Sequence, residues 1–459
     1  FSPGPSRPPA LARPCAAADQ NRSSIASPLV FLQANGRAGD GQSRHPRHIG
    51  RMTQVHDVLI AGGGLNGPAL ALALAGAGLS VTVIDAAPAQ RRAGDAFDGR
   101  AYALALASQK LLAALGIWPA VADQAQPIND VKAFDGRPGE GAAPFFLHFD
   151  SRELDQKPVG YMLEDRFLYR AFLAAMQADP RITLISETSV VAQEVLPGSI
   201  RVTLSNGESL SGRVLIGADG RRSGVAERAG IGREGWGYGQ TALVAALAHE
   251  KPHDGIAYQL FMPNGPLAIL PLTGNRSSIV WSETEANAAV IAKLSDDDFM
   301  ELVRPRFGDF LGKISLVGPR FSYPLNLTLA RAYAADRVAL VGDAAHGVHP
   351  IAGQGLNLGL RDVAALAEVL IGAMRRGEDI GSIHTLERYQ LWRRFDATTL
   401  ALGMDTVNKL FSNDNPILRA GRDLGMGIVQ AIGPLRRGFM RQAAGLSGPQ
   451  PKLLHGRQI

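Results

Sequence analysis

The sequence predicts an α/β protein, in which a Rossmann-like βαβ domain carries an inserted antiparallel β-sheet domain and a helical C-terminal tail. Residues 58–84 follow the pattern strand, glycine turn, helix and strand, and contain no charged residue. Residues 236–322 alternate apolar and polar side chains at the period of strands, and residues 386 to about 446 are helical in character. With 459 residues, of which 46% are hydrophobic and 19% charged, the chain can hold two interleaved domains.

The net charge of +5 comes from the first 51 residues, which are rich in arginine, and the remainder is neutral overall. This distribution argues against nucleic-acid binding despite the high isoelectric point. The single cysteine, Cys15, also lies in this leader, so the body can form no disulfide or thiolate–metal site, and we expect no metal. We expect residues 1–51 to be a disordered, non-native leader with Met52 as the natural start; an arginine-rich organelle transit segment is the alternative.

The first part of the nucleotide domain, residues 52–126, begins with a strand at Val58–Ala61 and the pattern Gly62-x-Gly64-x-x-Gly67. A helix to about Ala77 and a second strand ending at Asp85 follow. Glycines permit the tight turn, the helix N-terminus faces a pyrophosphate, and the aspartate suits an adenosine ribose, so this unit predicts a dinucleotide site.

Two arginines are further candidates for cofactor contacts. Arg100 lies at the start of a helix predicted over residues 98–108, and Arg166 lies in a helix that opens at residues 163–168. Either could neutralise a phosphate; the alternative is a solvated arginine at a helix start.

The rest of the chain returns twice to the nucleotide domain. We assign residues 127–162 and 236–322 to the substrate domain and residues 163–235 and 323–385 to the nucleotide domain. In the first return a strand ends at Asp219-Gly220 beside two arginines, which we expect near the pyrophosphate. The inserted strands carry Gln259, Phe261, Pro271 and Trp281, which suit a flat, greasy substrate; packing within the sheet is the alternative for each aromatic.

Residues 338–362 contain the most informative stretch. A strand stops at Gly342-Asp343, a glycine-containing loop follows, and a helix starts near Leu356. A carboxylate at a strand end suits ribose-like hydroxyls, and free N–H groups at a helix start suit negative charge, a combination that fits a flavin nucleotide. Asp343 would accept hydrogen bonds from the ribityl chain, and the backbone of Gly353, Gly355, Leu356 and Asn357 would face the pyrimidine edge of the ring.

The same loop holds the candidate catalytic residues His346, His349, Pro350 and Gly353. A histidine there could act as the base that deprotonates a phenol; the alternative is that it braces the loop. In the tail, 386–459, residues 434–441 combine apolar and basic side chains that suit a membrane surface, a partner protein or packing on the body. We expect no transmembrane helix.

Three motifs in this order, GGGLNG at 62–67, GADGRRS at 217–223 and GDAAH at 342–346, resemble the class A flavoprotein aromatic monooxygenases, the p-hydroxybenzoate hydroxylase group. Within that group, HPIAGQGLNLGLRD at 349–362 is similar to the signature of the ubiquinone-biosynthesis hydroxylases of the UbiH/UbiF/UbiI type. FSNDNP at 411–416 and RQAAGLSG at 441–448 are similar to bacterial UbiH-like members. The resemblance covers residues 55–450.

The resemblance implies FAD as cofactor, with Gly62, Gly64, Gly67, Asp85, Arg100, Asp219, Gly220 and Asp343 as contacts. It implies NAD(P)H as a transient electron donor and hydroxylation of a polyprenylated phenol with O2 through a flavin C4a-hydroperoxide. Other ubiquinone-biosynthesis proteins and the inner face of the bacterial membrane are the implied partners of a cytoplasmic protein. The alternatives are an FAD-dependent hydroxylase or reductase of another aromatic or prenyl substrate, and a non-catalytic flavin-binding subunit of a quinone-synthesis complex.

Overall fold

The computed structural model describes residues 55–95, 97, 99–136, 146–153, 158–349, 353–412 and 425–459. Every element below belongs to one compact unit, Met52–Ile459. Its described strands, numbered β1 to β19 in chain order, form three sheets.

The first sheet is the core of the nucleotide domain. Its strands are β1 (Val55–Ala61), β2 (Val81–Ile84), β8 (Ile182–Ile185), β9 (Val190–Leu196), β10 (Ser199–Leu204), β11 (Ser209–Gly217), β17 (Ala334–Ala335) and β18 (Val338–Leu340). They lie in the order β17-β18-β11-β1-β2-β8, and β10 and β9 continue from β11. The four pairings from β18 to β8 in this order are parallel. Parallel strands are covered on both faces, which explains the uncharged run in β1 and β2.

The second sheet is the inserted substrate sheet. It consists of β5 (Asp130–Asp135), β6 (Phe146–Asp150), β12 (Arg233–His249), β13 (Ile256–Met262), β14 (Gly265–Leu272), β15 (Arg276–Thr284), β16 (Ile314–Ala330) and β19 (His346–Gly347). The order is β19-β16-β12-β15-β14-β13-β5-β6. Its pairings are antiparallel except that of β13 with β5, which is parallel. The predicted domain junctions at 235–236 and 322–323 lie inside β12 and β16, so both strands run on into the nucleotide domain.

A small third sheet corrects one sequence prediction. Its strands are β3 (Ala101–Ala105), β4 (Gln126–Ile128) and β7 (Gly160–Glu164), in the order β3-β7-β4. We predicted a helix over residues 98–108, but residues 101–105 are a strand and the helix begins at Leu106. Each residue of β3 pairs with one of β7, and this tertiary pairing outweighs the helix propensity of the alanines.

The helices cover the sheets. They are α1 (Asn66–Gly76), α2 (Ala89–Arg92), α3 (Leu106–Ala114), α4 (Trp118–Val121), α5 (Asp165–Ala178), α6 (Gly224–Arg228), α7 (Glu285–Ile291), α8 (Asp296–Phe307), α9 (Gln354–Arg375), α10 (Ile383–Phe411) and α11 (Gly433–Ala443). Short 3-10 helices lie at Ala122–Gln124, Ser151–Glu153, Gly342–Ala344 and Lys452–His455. α9 packs between α1 and α10. Of the helices described, none is long and apolar enough to cross a bilayer.

The substrate sheet has two different faces. On one face Leu243, Leu247 and Ile279 pack against Phe299 and Phe307 of α8, and we call this the helix-facing side. On the opposite face, the inner face, Ala246, Leu270 and Val317 contact Ala101 and Ala103 of β3. The inner face is therefore the side of the sheet that borders the nucleotide domain.

Candidate active site

The three motifs meet at one edge of the first sheet. Ala61, Gly217 and Leu340 are register partners on β1, β11 and β18, and Ala61 also pairs with Ile84 on β2. The glycine loop and the residues Asp85, Asp219 and Asp343 follow these four strand ends. Because the carboxyl ends of parallel strands share one edge, segments far apart in sequence build a single site.

The three glycines of the first loop have different roles. Gly62 has a φ of +112°, and a Cβ there would lie 2.2 Å from the carbonyl oxygen of Ala218; a Cβ on Gly67 would lie 2.0 Å from the oxygen of Gly62. Packing within the protein therefore requires both. A Cβ on Gly64 would meet nothing nearer than the Arg92 guanidinium at 3.7 Å. No described side chain caps α1 and its first turn holds no acidic residue, so the space over Gly64 suits an anionic group.

Two aspartates lie on either side of that loop. Asp85 accepts hydrogen bonds from the backbone N–H groups of Gly63 at 2.5 Å and Ala87 at 2.7 Å. Asp343 accepts one from the Nε of Arg221 at 3.1 Å, and both of these side chains are partly exposed. Each carboxylate thus has a fixed position and retains capacity to accept further hydrogen bonds from ligand hydroxyls.

Asp219 and Gly220 follow the middle strand. One carboxylate oxygen of Asp219 accepts a hydrogen bond from the N–H of Val225 at 3.1 Å, and the other is buried with no partner among the described residues. Gly220 has a φ of +78°, which favours glycine, and a Cβ there would have no neighbour within 4 Å. The turn therefore leaves open space beside the motif.

An arginine that we did not predict lies beside the glycine loop. Arg92 donates to the fully buried carboxylate of Asp165 at 2.6 Å, and Asp165 also accepts from the Tyr102 hydroxyl at 3.1 Å. Arg100 approaches the same carboxylate at 3.5 Å and is about half exposed. Asp165 therefore holds two guanidinium groups, and that of Arg92 borders the space over Gly64, where it can neutralise phosphate charge.

Arg166 is differently placed. Its Nε donates to Glu164 at 2.8 Å, its guanidinium lies 4.5 Å from the centre of the Phe167 ring, and it also bonds the carbonyl of Asp95. Glu164 in turn accepts from Arg276 on the substrate sheet at 2.9 Å. Glu164 therefore connects Arg166 to Arg276 of the substrate sheet, and a cofactor contact for Arg166 stays a prediction.

The start of α9 forms the other end of the site. Gly353, with a φ of +62°, is its N-cap residue, no described side chain caps the helix, and a Cβ on Gly355 would meet nothing within 4 Å. The side chain of Asn357 is fully used: it accepts from the Ala105 N–H and the Ser108 hydroxyl and donates to the oxygens of Ala103 and Gly353. Asn357 thus fixes the helix start against β3, and the backbone N–H groups of Gly355 and Leu356 lie in the uncapped first turn.

Asn66 is a further residue of this site that the sequence analysis did not identify. It is the first residue of α1, and a Cβ on Gly342 or Gly359 would come within 2.1 or 2.4 Å of its amide nitrogen. The side chain therefore lies between the Asp343 loop and α9, and these two glycines permit the close approach.

His346 is a bracing residue. Its Nε2 lies 2.5 Å from the carboxylate of Asp362, both side chains are buried, and its backbone pairs with Leu329 on β16. Asp362 also accepts hydrogen bonds from the Gly342 N–H and from Arg393. These contacts favour the alternative, in which the histidine holds the loop, and a catalytic role for His346 stays a prediction.

His349 is 1% exposed, and both of its ring nitrogens are buried without a partner in the described ranges. Its ring meets that of Tyr238 edge-on, with centroids 5.0 Å apart. Burial lowers the pKa of His349 to about 4, against a smaller opposing effect of Asp405, so the imidazole is neutral near pH 7. The imidazole of His349 is thus buried away from solvent. Pro350 lies outside the described residues.

The register of the substrate sheet divides the four predicted substrate residues. Gln259 and Phe261 pair with Ala268 and Pro266 and lie on the inner face. Pro271 and Trp281 lie on the helix-facing side, beside Ile269 and Leu267 respectively, and Trp281 is 1% exposed between Phe299 and Arg306. Trp281 and Pro271 thus lie on the side of the sheet that packs against α8, away from the inner face, and their role as substrate contacts stays a prediction.

These features together fit FAD. The uncapped α1 and the arginines held by Asp165 suit its pyrophosphate, Asp85 and Asp343 suit its sugar hydroxyls, and the uncapped α9 suits a ring that gains negative charge on reduction. Gly64 and Gly355 leave open the space that such a ligand needs.

Comparisons with known proteins agree with this assignment. Residues 55–398 match the family model described as an FAD binding domain. Ubiquinone hydroxylase UbiL of Rhodospirillum rubrum is 45% identical over 422 residues, which cover 91% of this chain and 97% of that protein. The 3-demethoxyubiquinol 3-hydroxylase of Escherichia coli is 37% identical, with coverages of 86% and 99%.

The fold has a counterpart among solved structures. The crystal structure of p-nitrophenol 4-monooxygenase PnpA from Pseudomonas putida DLL-E4 matches with a TM-score of 0.72 at 20% identity, covering 87% of this chain and 100% of that chain. From the match over residues 55–398 and the near full-length relatives, the chain belongs to the FAD-binding-domain family, in the branch that holds these ubiquinone hydroxylases.

Proposed function

We propose that this protein is an FAD-dependent monooxygenase that uses NAD(P)H and O2 to hydroxylate the aromatic ring of a polyprenylated phenol in ubiquinone biosynthesis. The observation that carries the proposal is that the three strand ends that bear the motifs lie side by side, next to the uncapped start of α9. Asn357 ties this helix start to β3, and β3 in turn contacts the inner face of the substrate sheet. The names of the two relatives, a ubiquinone hydroxylase and a demethoxyubiquinol hydroxylase, support the substrate class.

The bound FAD would supply the redox chemistry, which is its reduction by NAD(P)H and the activation of O2. The protein would supply position and electrostatics. Asp343 and Asp85 hold sugar hydroxyls, Arg92 and Arg100 neutralise phosphate charge, and the first turn of α9 stabilises negative charge on the ring. The inner face, with Phe261 and Gln259, would hold the aromatic substrate away from water.

We further propose that the C-terminal helices contact the membrane surface where a polyprenylated substrate resides. Leu391 and Phe395 of α10 are 77% and 80% exposed, and Leu435 and Phe439 of α11 are also exposed. Residues 425–443 include three arginines and no acidic residue. Exposed apolar side chains beside an acid-free, basic segment suit an anionic lipid surface.

The activity is tested with residues 52–459 in bacterial strains that each lack one ring hydroxylase, and with the purified protein. We expect restored ubiquinone in at least one strain, and O2 uptake that depends on NAD(P)H and a prenylated phenol. An FAD-loaded protein that oxidises NAD(P)H with a prenyl substrate but consumes no O2 would instead establish the reductase alternative.

The membrane contact is tested by flotation with vesicles that contain anionic phospholipid. We expect the protein to float with them and the variant F395E/F439E to stay in the soluble fraction. Val290→Glu is the matched control, because Val290 is also exposed, at 64%, but lies on α7. Equal flotation of all three proteins would contradict the proposal.

A further inference from the structure

The end of α11 is attached to the first half of α9. The last carbonyl groups of a helix need partners outside it. Here the Nε2 of Gln354 donates to the carbonyl oxygen of Ala443 at 3.5 Å, and the Nη2 of Arg361 donates to that of Gln442 at 3.4 Å. Both donors belong to α9, and Gln354 is its first residue. The turn of α9 that we assign to the flavin ring therefore also holds the end of α11.

The same end of α11 is attached to the start of α3. The backbone N–H of Ala107 donates to the carbonyl oxygen of Ala444, the residue that follows α11, at 3.2 Å. Next to it, the hydroxyl of Ser108 donates at 2.7 Å to Asn357, the side chain that fixes the first turn of α9. Three helix ends thus meet at one place. We call it the helix junction, and it consists of Ala107, Ser108, Gln354, Asn357, Arg361 and residues 442–444.

Arg361 connects this junction to α10 as well. The residue is only 6% exposed, and its Nη1 donates to the carboxylate of Asp396 on α10 at 3.4 Å. Asp396 directly follows the exposed Phe395, and α11 carries the exposed Phe439. One buried guanidinium therefore holds both of the helices for which we proposed a membrane contact, and it holds them against the helix that starts at the flavin site.

α11 has few other contacts that could fix its position. Of its eleven residues, all of which the structure describes, only Met440 is buried, and it packs against Leu106 and Val159. Arg436 adds an ion pair with Glu153 at 2.7 Å. A helix this short is marginal on its own and depends on what it packs against. A surface that covers its exposed side would therefore hold α11 in place and, through the helix junction, the first turn of α9.

We propose that an anionic lipid surface and FAD bind this protein cooperatively, because the lipid holds α10 and α11 and the helix junction transmits this restraint to the first turn of α9. Arg361 is the positioning residue. The inference rests on the proposed function, in particular on the membrane contact, and deepens it by assigning a regulation of the flavin site. Cooperative binding is reciprocal, so FAD must strengthen lipid binding by the same factor by which lipid strengthens FAD binding.

The experiment measures both sides of this relationship. The Kd of FAD is measured by flavin fluorescence, with and without vesicles of phosphatidylcholine and phosphatidylglycerol. The affinity for the same vesicles is measured by flotation of the apoprotein and of the FAD-loaded protein, and vesicles of phosphatidylcholine alone are the lipid control. The variants are Arg361→Met and, as the matched control, Arg375→Met. Arg375 is exposed in the last turn of α9 and donates to the carbonyl oxygen of Ile459.

We expect the anionic vesicles to lower the Kd of FAD about tenfold, and FAD to strengthen binding to these vesicles by the same factor. Phosphatidylcholine alone should change neither affinity. Arg361→Met should reduce both factors toward one, because α10 and α11 lose their shared attachment to α9, and Arg375→Met should keep the wild-type factors. The wild-type measurements alone test the cooperativity, so the test remains complete even where Arg361→Met fails to fold.

Two results would show that the inference is wrong while the proposed function stands. In the first, the wild type binds the anionic vesicles but binds FAD equally well with and without them. In the second, Arg361→Met folds and retains the wild-type factors. If the FAD-loaded wild type does not bind the anionic vesicles at all, the inference fails together with the proposed membrane contact. The uptake of O2 with a prenylated phenol then still decides the hydroxylase activity.

Discussion

Arg393 of α10 donates a hydrogen bond of 2.8 Å to the carboxylate of Asp362 on α9, and both side chains are buried. The other oxygen of Asp362 accepts from the Gly342 N–H at 3.0 Å and lies 2.5 Å from the Nε2 of His346. One carboxylate therefore links the tail helix to the loop that carries Asp343. The C-terminal helix α10, although it is outside the nucleotide domain by sequence, helps to shape the site.

Asp362→Ala should lower the free energy of unfolding by about 3 kcal/mol or more, because it leaves the Arg393 charge buried without this partner. It should also lose FAD on purification, since the Asp343 loop is no longer held. Urea unfolding and flavin absorption measure the two effects. The control is Glu194→Ala, which breaks an exposed ion pair with Arg201 and should change little.

The contribution of Asp362 has a defined pH dependence. Burial raises the pKa of this carboxyl, but His346 and Arg393 together lower it by more than burial raises it. The pKa of Asp362 is therefore below its ordinary value. The Asp362 carboxylate thus stabilises the folded protein at any pH above the pKa that this group has in the unfolded state. This stabilisation is lost as the pH falls through the lower pKa of the folded state. The stability difference between wild type and Asp362→Ala should shrink in acid; a difference that grows would contradict this account.

Substitution by alanine should have different effects at Gly67 and at Gly64, two glycines of the first loop. Gly67→Ala should destabilise the protein by about 1–3 kcal/mol, because its Cβ would collide with the Gly62 carbonyl. Gly64→Ala should leave stability nearly unchanged and weaken FAD binding, since its Cβ enters the open space over the loop. Thermal unfolding of the apoprotein and FAD titration separate the two, and unchanged FAD affinity in Gly64→Ala would place the cofactor elsewhere.

Asp343→Ala should lose FAD on purification, because the variant lacks the carboxylate that we propose accepts hydrogen bonds from the sugar hydroxyls. Asp336→Ala is the matched control, since Asp336 is exposed and lies just before the opposite end of the same strand, β18. Absorption spectra of the purified proteins measure the flavin content. A full complement of flavin in Asp343→Ala would show that this site is misplaced.

The buried imidazole of His349 should make the free energy of unfolding decrease in acid. Its pKa is lowered from 6.5 to about 4, so the unfolded state takes up a proton first as the pH falls between these values. Stability should therefore decline over this window, by about 3 kcal/mol. His349→Leu should show a shallower decline in urea unfolding at several pH values. An equally steep decline in His349→Leu and in the wild type would contradict this account.

The strand ends of the site could be predicted from sequence, because each motif is local. Gly62 to Gly67, Asp85, Asp219 and Asp343 each follow an apolar strand, and parallel strands expose their carboxyl ends at one edge. The helix predicted over residues 98–108 failed for the opposite reason. The strand Ala101–Ala105 exists because β7 pairs with it, and no local pattern reveals that partner.

The two faces of the substrate sheet could not be distinguished either. Phe261 and Trp281 look alike in sequence, yet the register places one on the inner face and the other against α8. A shift of register by one residue reverses every side chain, so composition alone cannot identify the ligand-facing set. Arg92 was missed because its role depends on Asp165, a partner 73 residues away.

Arg221 and Asp343 form an ion pair although they lie 122 positions apart in the chain. Apart from β5 and β6, every strand of the substrate sheet lies between these two residues in sequence, or, in the case of β19, shortly after Asp343. During synthesis, the ribosome must therefore release β18 and the start of α9 before the cofactor pocket can close. A nascent chain halted after the inserted sheet would leave residues 215–217 of β11 without their β18 partners and would lack Asp343. We therefore expect cofactor capture to be a late event in biogenesis, and products that end before residue 360 to depend on chaperones or be degraded.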